Sequence, residues 1–273
     1  MSTSHGTIEP GATLERPRVG IGQAIIDDVT LSEAVEAIAE LVAQRRGGIV
    51  CTPNVDHIVL LEDDARLREA YSSASLVCAD GMPIIWASRL LGTPLREKVS
   101  GSDLVVPLLQ RATDARWRVY LVGGGEGVAA RAAERLKHDS PALEIVGIDA
   151  RFIDLDRDPP GHDALASGVR AARPDLVLLA LGCPKQEIVM HRIAAAVRPA
   201  VCVGVGASLD FLAGTMARAP RWMSAAGLEW LYRLAREPRR LWRRYLVRDP
   251  RFASILLRDL RGASKPRGAG VRG

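Results

Sequence analysis

At 273 residues with 48% apolar side chains, the chain can hold one large α/β domain, or a domain plus a smaller extension, around a substantial core. Its longest apolar run, Leu176–Leu181, is far too short to cross a bilayer, and residues 1–17 carry no signal-peptide core, so neither a transmembrane span nor export is expected. The formal net charge of +5 hides a division: residues 216–273 hold 15 Lys+Arg against 4 Asp+Glu, and residues 1–215 hold 22 against 28. In chain order, residues 1–17 read as disordered. Thr30, with Glu33 three residues on, forms a capping-box pattern ahead of a helical stretch Leu31–Gln44. Short runs rich in Val, Ile, Leu and Cys follow at Ile49–Thr52, Leu76–Ala79, Val119–Val122, Ile145–Ile148, Leu176–Leu181 and Val201–Val205. Helical stretches at Ser102–Thr113, Val128–His138 and Lys185–Ala195 alternate with them. Continuous apolar strands suit a parallel sheet buried on both faces, so residues 18–215 are expected to form a Rossmann-like α/β body. Cys51, Cys78, Cys183 and Cys202 each adjoin a strand-like run and make no CxxC pair. They read as buried structural thiols in a reducing compartment, the cytoplasm.

Residues 216–261 punctuate differently and read as a basic, amphipathic helical appendage, with residues 262–273 disordered beyond it. Pro238 and Pro250 fit the first turns of new helices and Asp249 fits an N-cap, which gives about three short helices across 228–261. Arginines at 233, 236, 239, 240, 243, 244, 248 and 251 share helical faces at three- and four-residue spacing, interleaved with Trp230, Trp242 and Tyr245. That mixture suits an anionic surface with an apolar layer beneath it, such as a membrane face. A solvated helix surface, or a nonspecific nucleic-acid contact, competes with this reading.

Ligands in open α/β sheets collect at the carboxyl ends of strands, and four such ends carry polar clusters. Thr52 and Asn54 offer neutral hydrogen-bonding groups suited to sugar hydroxyls, or to satisfying a turn. Asp80 follows a buried strand and precedes Gly81-Met82-Pro83. It reads either as a general base with a raised pKa or as the N-cap of the helix at Pro83. Gly123-Gly124-Gly125-Glu126-Gly127 opens a helix and could cradle a phosphate or serve as a tight turn. It half-matches the dinucleotide fingerprint, with Val128 at the place of the third glycine, so an NAD-dependent oxidoreductase stands as a rival class. Gln186 follows Pro184 at a helix start and could point its amide inward. His57, His138, His162 and His191 show no shared ligand spacing, and Asp154-Leu155-Asp156 only weakly resembles a metal-diphosphate signature, so no metal site is expected.

Five strings recur in a telling order: Thr52-Pro53-Asn54-Val55-Asp56, Ala79-Asp80-Gly81-Met82-Pro83, Val99-Ser100-Gly101-Ser102-Asp103, Leu181-Gly182-Cys183-Pro184-Lys185-Gln186-Glu187 and Gly204-Val205-Gly206-Ala207-Ser208-Leu209-Asp210. Arg218-Ala219-Pro220-Arg221-Trp222 and Gly227-Leu228-Glu229-Trp230-Leu231-Tyr232-Arg233 complete the series. Over about residues 18–248 the chain resembles the WecG/TagA/CpsF glycosyltransferases, glycosyltransferase family 26. The resemblance implies a GT-E-like fold and an inverting, metal-independent transferase that needs no cofactor. Such an enzyme moves a hexose-type sugar, N-acetylmannosamine, its uronic acid or glucose, from a UDP-sugar to a polyprenyl-diphosphate-linked acceptor in cell-surface polysaccharide synthesis. By the same resemblance Asp80 matches the catalytic base, and Thr52 and Gln186 match active-site polar residues. The appendage is then expected to close over the site, to bring Arg233, Arg240 and Arg243 to the diphosphate, and to hold the protein on the inner face of the cytoplasmic membrane. A homo-oligomer that hides the appendage is compatible with this picture, and a specific nucleic-acid partner is not expected. Lys98 departs from the arginine expected before Val99, keeping the charge without the bidentate fork.

Overall fold

The computed structural model describes residues 16–151, 153 and 159–262. The disorder expected of residues 1–15 and 263–273, and the run Asp154-Leu155-Asp156, lie outside the described residues. Six strands form one parallel sheet: β3 (Gly48–Cys51), β4 (Leu76–Val77), β5 (Arg118–Gly123), β6 (Glu144–Asp149), β7 (Leu176–Ala180) and β8 (Val201–Gly204), in the order β4-β3-β8-β7-β5-β6. β7 and β8 lie in the middle and bury every residue, which is why their sequences, LVLLA and VCVG, carry no alternation. β6, at the edge, is largely half-exposed. Its Gly147 leaves room for a neighbour, since a Cβ there would lie 2.4 Å from the Tyr120 ring.

Helices cover both faces. α1 (Leu31–Ala43), α5 (Gly101–Asp114), α6 (Val128–Asp139) and α9 (Ser208–Ala213) enclose one apolar layer with Val50, Leu121, Leu178 and Val203 of the sheet. α2 (Val55–Asp63), α3 (Ala65–Ser72), α4 (Met82–Leu90), α7 (Pro159–Ala172) and α8 (Lys185–Ile193) enclose the other with Cys51, Val122, Val177 and Cys202. The expected capping box is present: Thr30 Oγ1 accepts from Glu33 N–H, and the Glu33 carboxylate accepts from Thr30 N–H. Residues 18–27, which carry no strong strand signal, form an antiparallel hairpin of β1 (Arg18–Ile21) and β2 (Ala24–Asp27) outside the main sheet. Pro17 belongs to it, because its carbonyl accepts from Asp28 N–H.

The appendage is helical, as its sequence implies, in four segments after α10 (Arg221–Ala225): α11 (Glu229–Arg236), α12 (Pro238–Arg243), a π-helical segment Arg244–Arg248 and α13 (Arg251–Leu260). Pro238 opens α12 as expected. Asp249 differs from expectation: it continues the π-helical segment with helical backbone angles and makes no side-chain cap bond to α13. α13 docks on α2 and the hairpin, burying Ile255. Arg258 makes two hydrogen bonds of 2.8 Å to the Glu62 carboxylate, and Asp259 accepts from Gly22 N–H at 2.7 Å. All four cysteines are free thiols; Cys51, Cys78 and Cys202 are buried and Cys183 is half-buried.

Candidate active site

β3 and β4 end side by side, and the turns that leave them form one wall of a cavity of about 300 Å³. Asn54 and Val55 come from the turn after β3. Asp80, Gly81, Met82 and Pro83 come from the turn after β4, and Lys98 stands nearby. The appendage supplies the opposite wall: Ser224, Gly227, Glu229, Trp230, Arg233, Arg244, Tyr245, Asp249 and Pro250. A site built this way is complete only when body and appendage are together.

Asp80 is the central titratable group. Gly81, with φ of 104°, occupies the N-cap position of α4, and no side chain caps that helix. The Asp80 carboxylate is therefore not spent on capping, which removes the structural alternative. Burial, then the Glu229 carboxylate, push its pKa up to about 6, while Lys98, Arg233 and His57 pull it down. The result is a carboxylate half-buried in a cavity and poised near neutrality, the property a general base requires.

Cationic groups from both walls surround it. Lys98 pairs with Asp103 at the start of α5, which Arg218 also reaches at 2.9 Å. Burial would raise the Asp103 carboxyl, but the Lys98 and Ser100 hydrogen bonds outweigh it and hold that group low. Burial raises the Tyr245 phenol, and the neighbouring Arg244 and Arg233 guanidiniums oppose that rise. Arg244 is set deep, with its side chain 20% exposed: its Nη2 donates to Asn54 Oδ1 at 3.0 Å, and its Nε lies 3.3 Å from Asp56 Oδ2 and 3.8 Å from Asp249. Arg248 adds a second ion pair to the buried Asp56 at 2.5 Å. Asn54 thus has two tasks, accepting from Asp56 N–H to cap α2 and holding Arg244.

The expected residues divide. Asp80, Asn54, Lys98 and Arg233 line the cavity together. Thr52 and Gln186 lie deeper and do not line it: Thr52 Oγ1 donates to Gly204 O at 3.4 Å, and Gln186 accepts from Gly206 N–H at 3.0 Å while donating to Glu187. They knit the ends of β3, β7 and β8 beneath the site. Gly123, Gly124 and Gly125 also lie off the cavity lining, and Gly123 and Gly124 are closely packed. A Cβ on Gly123 would sit 2.6 Å from Ala180 O, and Gly124 N–H donates to that same carbonyl. Arg240 and Arg243 are exposed on α12, Arg240 paired with Glu237 and Arg243 stacked over Trp242.

Sequence spacing missed Glu229, Arg244, Tyr245 and Asp249. Arg244 stands three residues after the buried Leu241 and so shares its inward face at ordinary helical spacing. Beyond it the helix widens, and Asp249 N–H bonds back to Arg244 O, five residues away. The histidines hold a second surprise. His57, distant in the chain from Cys183 and Glu187 at the start of α8, brings its ring nitrogen within 4.8 Å of their donor atoms. His57 Nε2 lies 3.4 Å from Glu187, and Gln186 already donates to that carboxylate, so the cluster's present bonding is that of a buried polar pair.

Comparison with known proteins places the chain in a family. Residues 19–266 match the glycosyl transferase WecG/TagA/CpsF family. A Bacillus spizizenii protein, N-acetylglucosaminyldiphosphoundecaprenol N-acetyl-beta-D-mannosaminyltransferase, is 34% identical over 223 residues, 82% of this chain and 84% of its own length. A Bacillus subtilis protein of the same name is 30% identical over 216 residues, 79% of this chain and 81% of its own. The match spans the sheet body and the appendage alike, and the chain belongs to the WecG/TagA/CpsF family of glycosyltransferases.

Proposed function

We propose that this glycosyltransferase moves a hexose-type sugar from a UDP-sugar to a polyprenyl-diphosphate-linked sugar, with inversion and without a metal ion. The observation that carries the reading is the pairing in one cavity of a carboxylate poised near pH 6 with guanidinium groups from the appendage. The relatives' names supply the acceptor class and make N-acetylmannosamine the first donor to try, ahead of its uronic acid and glucose.

In this reading Asp80 takes the proton of an acceptor hydroxyl as its oxygen attacks the donor's anomeric carbon. The bond from that carbon to the diphosphate breaks on the opposite side, and UDP leaves with the electron pair. Such a single displacement inverts the centre. Charge develops on the departing diphosphate, and fixed cations in a partly dry site stabilise it without reorganising. In this reading Arg233, Arg244 and Lys98, which line the cavity, take that task, with the exposed Arg240 and Arg243 meeting the outer phosphate oxygens as the ligand enters. Asn54 positions Arg244, and Thr52 and Gln186 hold the sheet ends on which the turns depend. No helix among the described residues is long and apolar enough to cross a membrane, so the lipid acceptor is met at a surface. The basic appendage suits the anionic inner face of the cytoplasmic membrane.

The test is UDP release by the full chain with a polyprenyl-diphosphate-N-acetylglucosamine analogue and a panel of UDP-sugars, with and without EDTA. Acceptor-dependent release with one donor, unchanged by EDTA, is expected. Release that EDTA abolishes and Mg²⁺ restores would overturn metal independence. A chain stabilised against heat by NAD and not by UDP would return the oxidoreductase reading.

A further inference from the structure

One helix face outside the catalytic groups is left bare. α4 turns Ile84, Ile85, Ala87 and Ser88 into the core, and on its other side leaves Trp86 46% and Leu90 59% exposed. Met82, Trp86 and Leu90 fall four residues apart, so they form one stripe along the helix. The stripe begins in the cavity, because Met82 and the adjoining Pro83 line it. At about 1.5 Å per residue it runs roughly 12 Å outward. The appendage lies against its first half: a Cβ on Gly227, itself a cavity residue, would sit 2.5 Å from the Trp86 ring and 3.2 Å from Met82 Cβ. One side of the cavity is thus cationic, with Lys98, Arg233 and Arg244, and one edge continues past Gly227 into an apolar ramp that ends on the exposed Trp86 and Leu90.

We propose that the Met82–Trp86–Leu90 face is a track for the lipid chain of the acceptor, binding the polyprenyl segment next to the diphosphate as it leaves the cavity. The inference rests on the acceptor class proposed above. A ligand with an anionic head and an apolar tail fits a cavity whose cations give way to apolar side chains at one edge. A bilayer surface or a second copy of the chain would also cover apolar residues, but neither explains why the stripe starts inside the cavity wall. Covering Trp86 and Leu90 removes apolar surface from water, so affinity must depend on tail length up to the reach of the stripe and not beyond it.

The experiment uses the full chain in buffer free of vesicles and below micelle-forming concentrations. Its acceptors share one sugar-diphosphate head and carry alkyl or polyprenyl tails of increasing length. Wild-type KM is expected to fall about tenfold between the shortest tail and one that spans the stripe, the effect of burying roughly 50 Å² of apolar surface. Leu90→Gln and Trp86→Gln should each flatten that dependence, with kcat and the shortest-tail KM within about twofold of wild type. Leu90→Gln decides the matter if Trp86→Gln disturbs Gly227, since Leu90 is the more exposed. A wild-type KM indifferent to tail length, or full tail dependence retained in Leu90→Gln, would overturn the track. So would variants that alter only vesicle co-sedimentation, which would mark a bilayer contact, or only sedimentation mass, which would mark a second copy. Wild-type protein that transfers to no analogue at all would instead overturn the acceptor reading, and the track with it.

Discussion

In the body, β7 and β8 are wholly enclosed, and two apolar layers run the length of the sheet. In the appendage, only Leu241 and Ile255 are buried among the described side chains after Met216. Its attachments join one apolar contact, Ile255 with the half-buried Phe252 and Leu256, to a set of ion pairs: Arg244 and Arg248 on Asp56, Arg251 on Asp63, Arg258 on Glu62. The body is therefore held by area removed from water, which salt does not screen. The appendage depends in larger part on charge, which salt screens and which a competing anion can displace. Half of the lining of the candidate cavity belongs to the weakly held part, so assembling that cavity and docking the appendage are one event.

The sharpest way to break the comparison is at Asp80, a body residue whose chemistry depends on both halves. Asp80→Asn should lower kcat by three orders of magnitude or more while UDP still binds, measured by release and by calorimetry. The same change should raise the melting temperature near neutral pH. A carboxyl raised from 3.8 to about 6 holds its proton more tightly folded than unfolded. Its relative contribution is therefore greatest below the lower value and is lost as pH rises through about 6, by about 3 kcal/mol in all. Asparagine carries no such charge, so the mutant's advantage should disappear below pH 4. A mutant that turns over normally would remove Asp80 as the base.

Deleting residues 221–273 separates the two regions outright. The sheet body should remain folded by circular dichroism, with its melting temperature lowered by several degrees through loss of the α13 contacts around Ile255 and Glu62. Turnover should fall by at least two orders of magnitude, because Arg233, Arg244 and Glu229 leave the cavity. Full activity in the truncated protein would show that the body alone makes the site.

The two regions also differ in how far their sequences could be read. A strand buried on both faces must be apolar throughout, so β5, β7 and β8 were visible as runs, and Asp80 stood out as a carboxylate placed just beyond such a run. The hairpin at 18–27 was not visible: strands of four residues around Gly22 leave too short a pattern. In the appendage, charge spacing announced helices and an anionic ligand but could not say which arginines face inward. Arg244 is the one set inward, three residues past the buried Leu241, while Arg243 lies exposed; which face of α12 meets the body is decided by tertiary packing, which spacing alone does not contain. Thr52 and Gln186 were legible as polar residues at strand ends. Their present partners, Gly204 and Gly206, come from a third strand end brought between them by the sheet order.

The mildest test leaves both regions in place and changes one charge between them. With Asp80 as base, kcat/KM must rise with pH through about 6 and then level off, since only the ionised carboxylate accepts a proton. Glu229, on α11 of the appendage, is the charge that pushes Asp80 upward, against Lys98, Arg233 and His57. Glu229→Gln should move the acidic limb of the profile to lower pH and leave the plateau within a few-fold of wild type. Asp249 provides the internal control, because burial also raises it to about 6, yet Arg244 and Asp56 are its main charged neighbours. A limb that stays put in Glu229→Gln and moves in Asp249→Asn would assign the profile to the arginine network. A limb that moves with Glu229 would show the appendage setting the protonation of a base that belongs to the sheet.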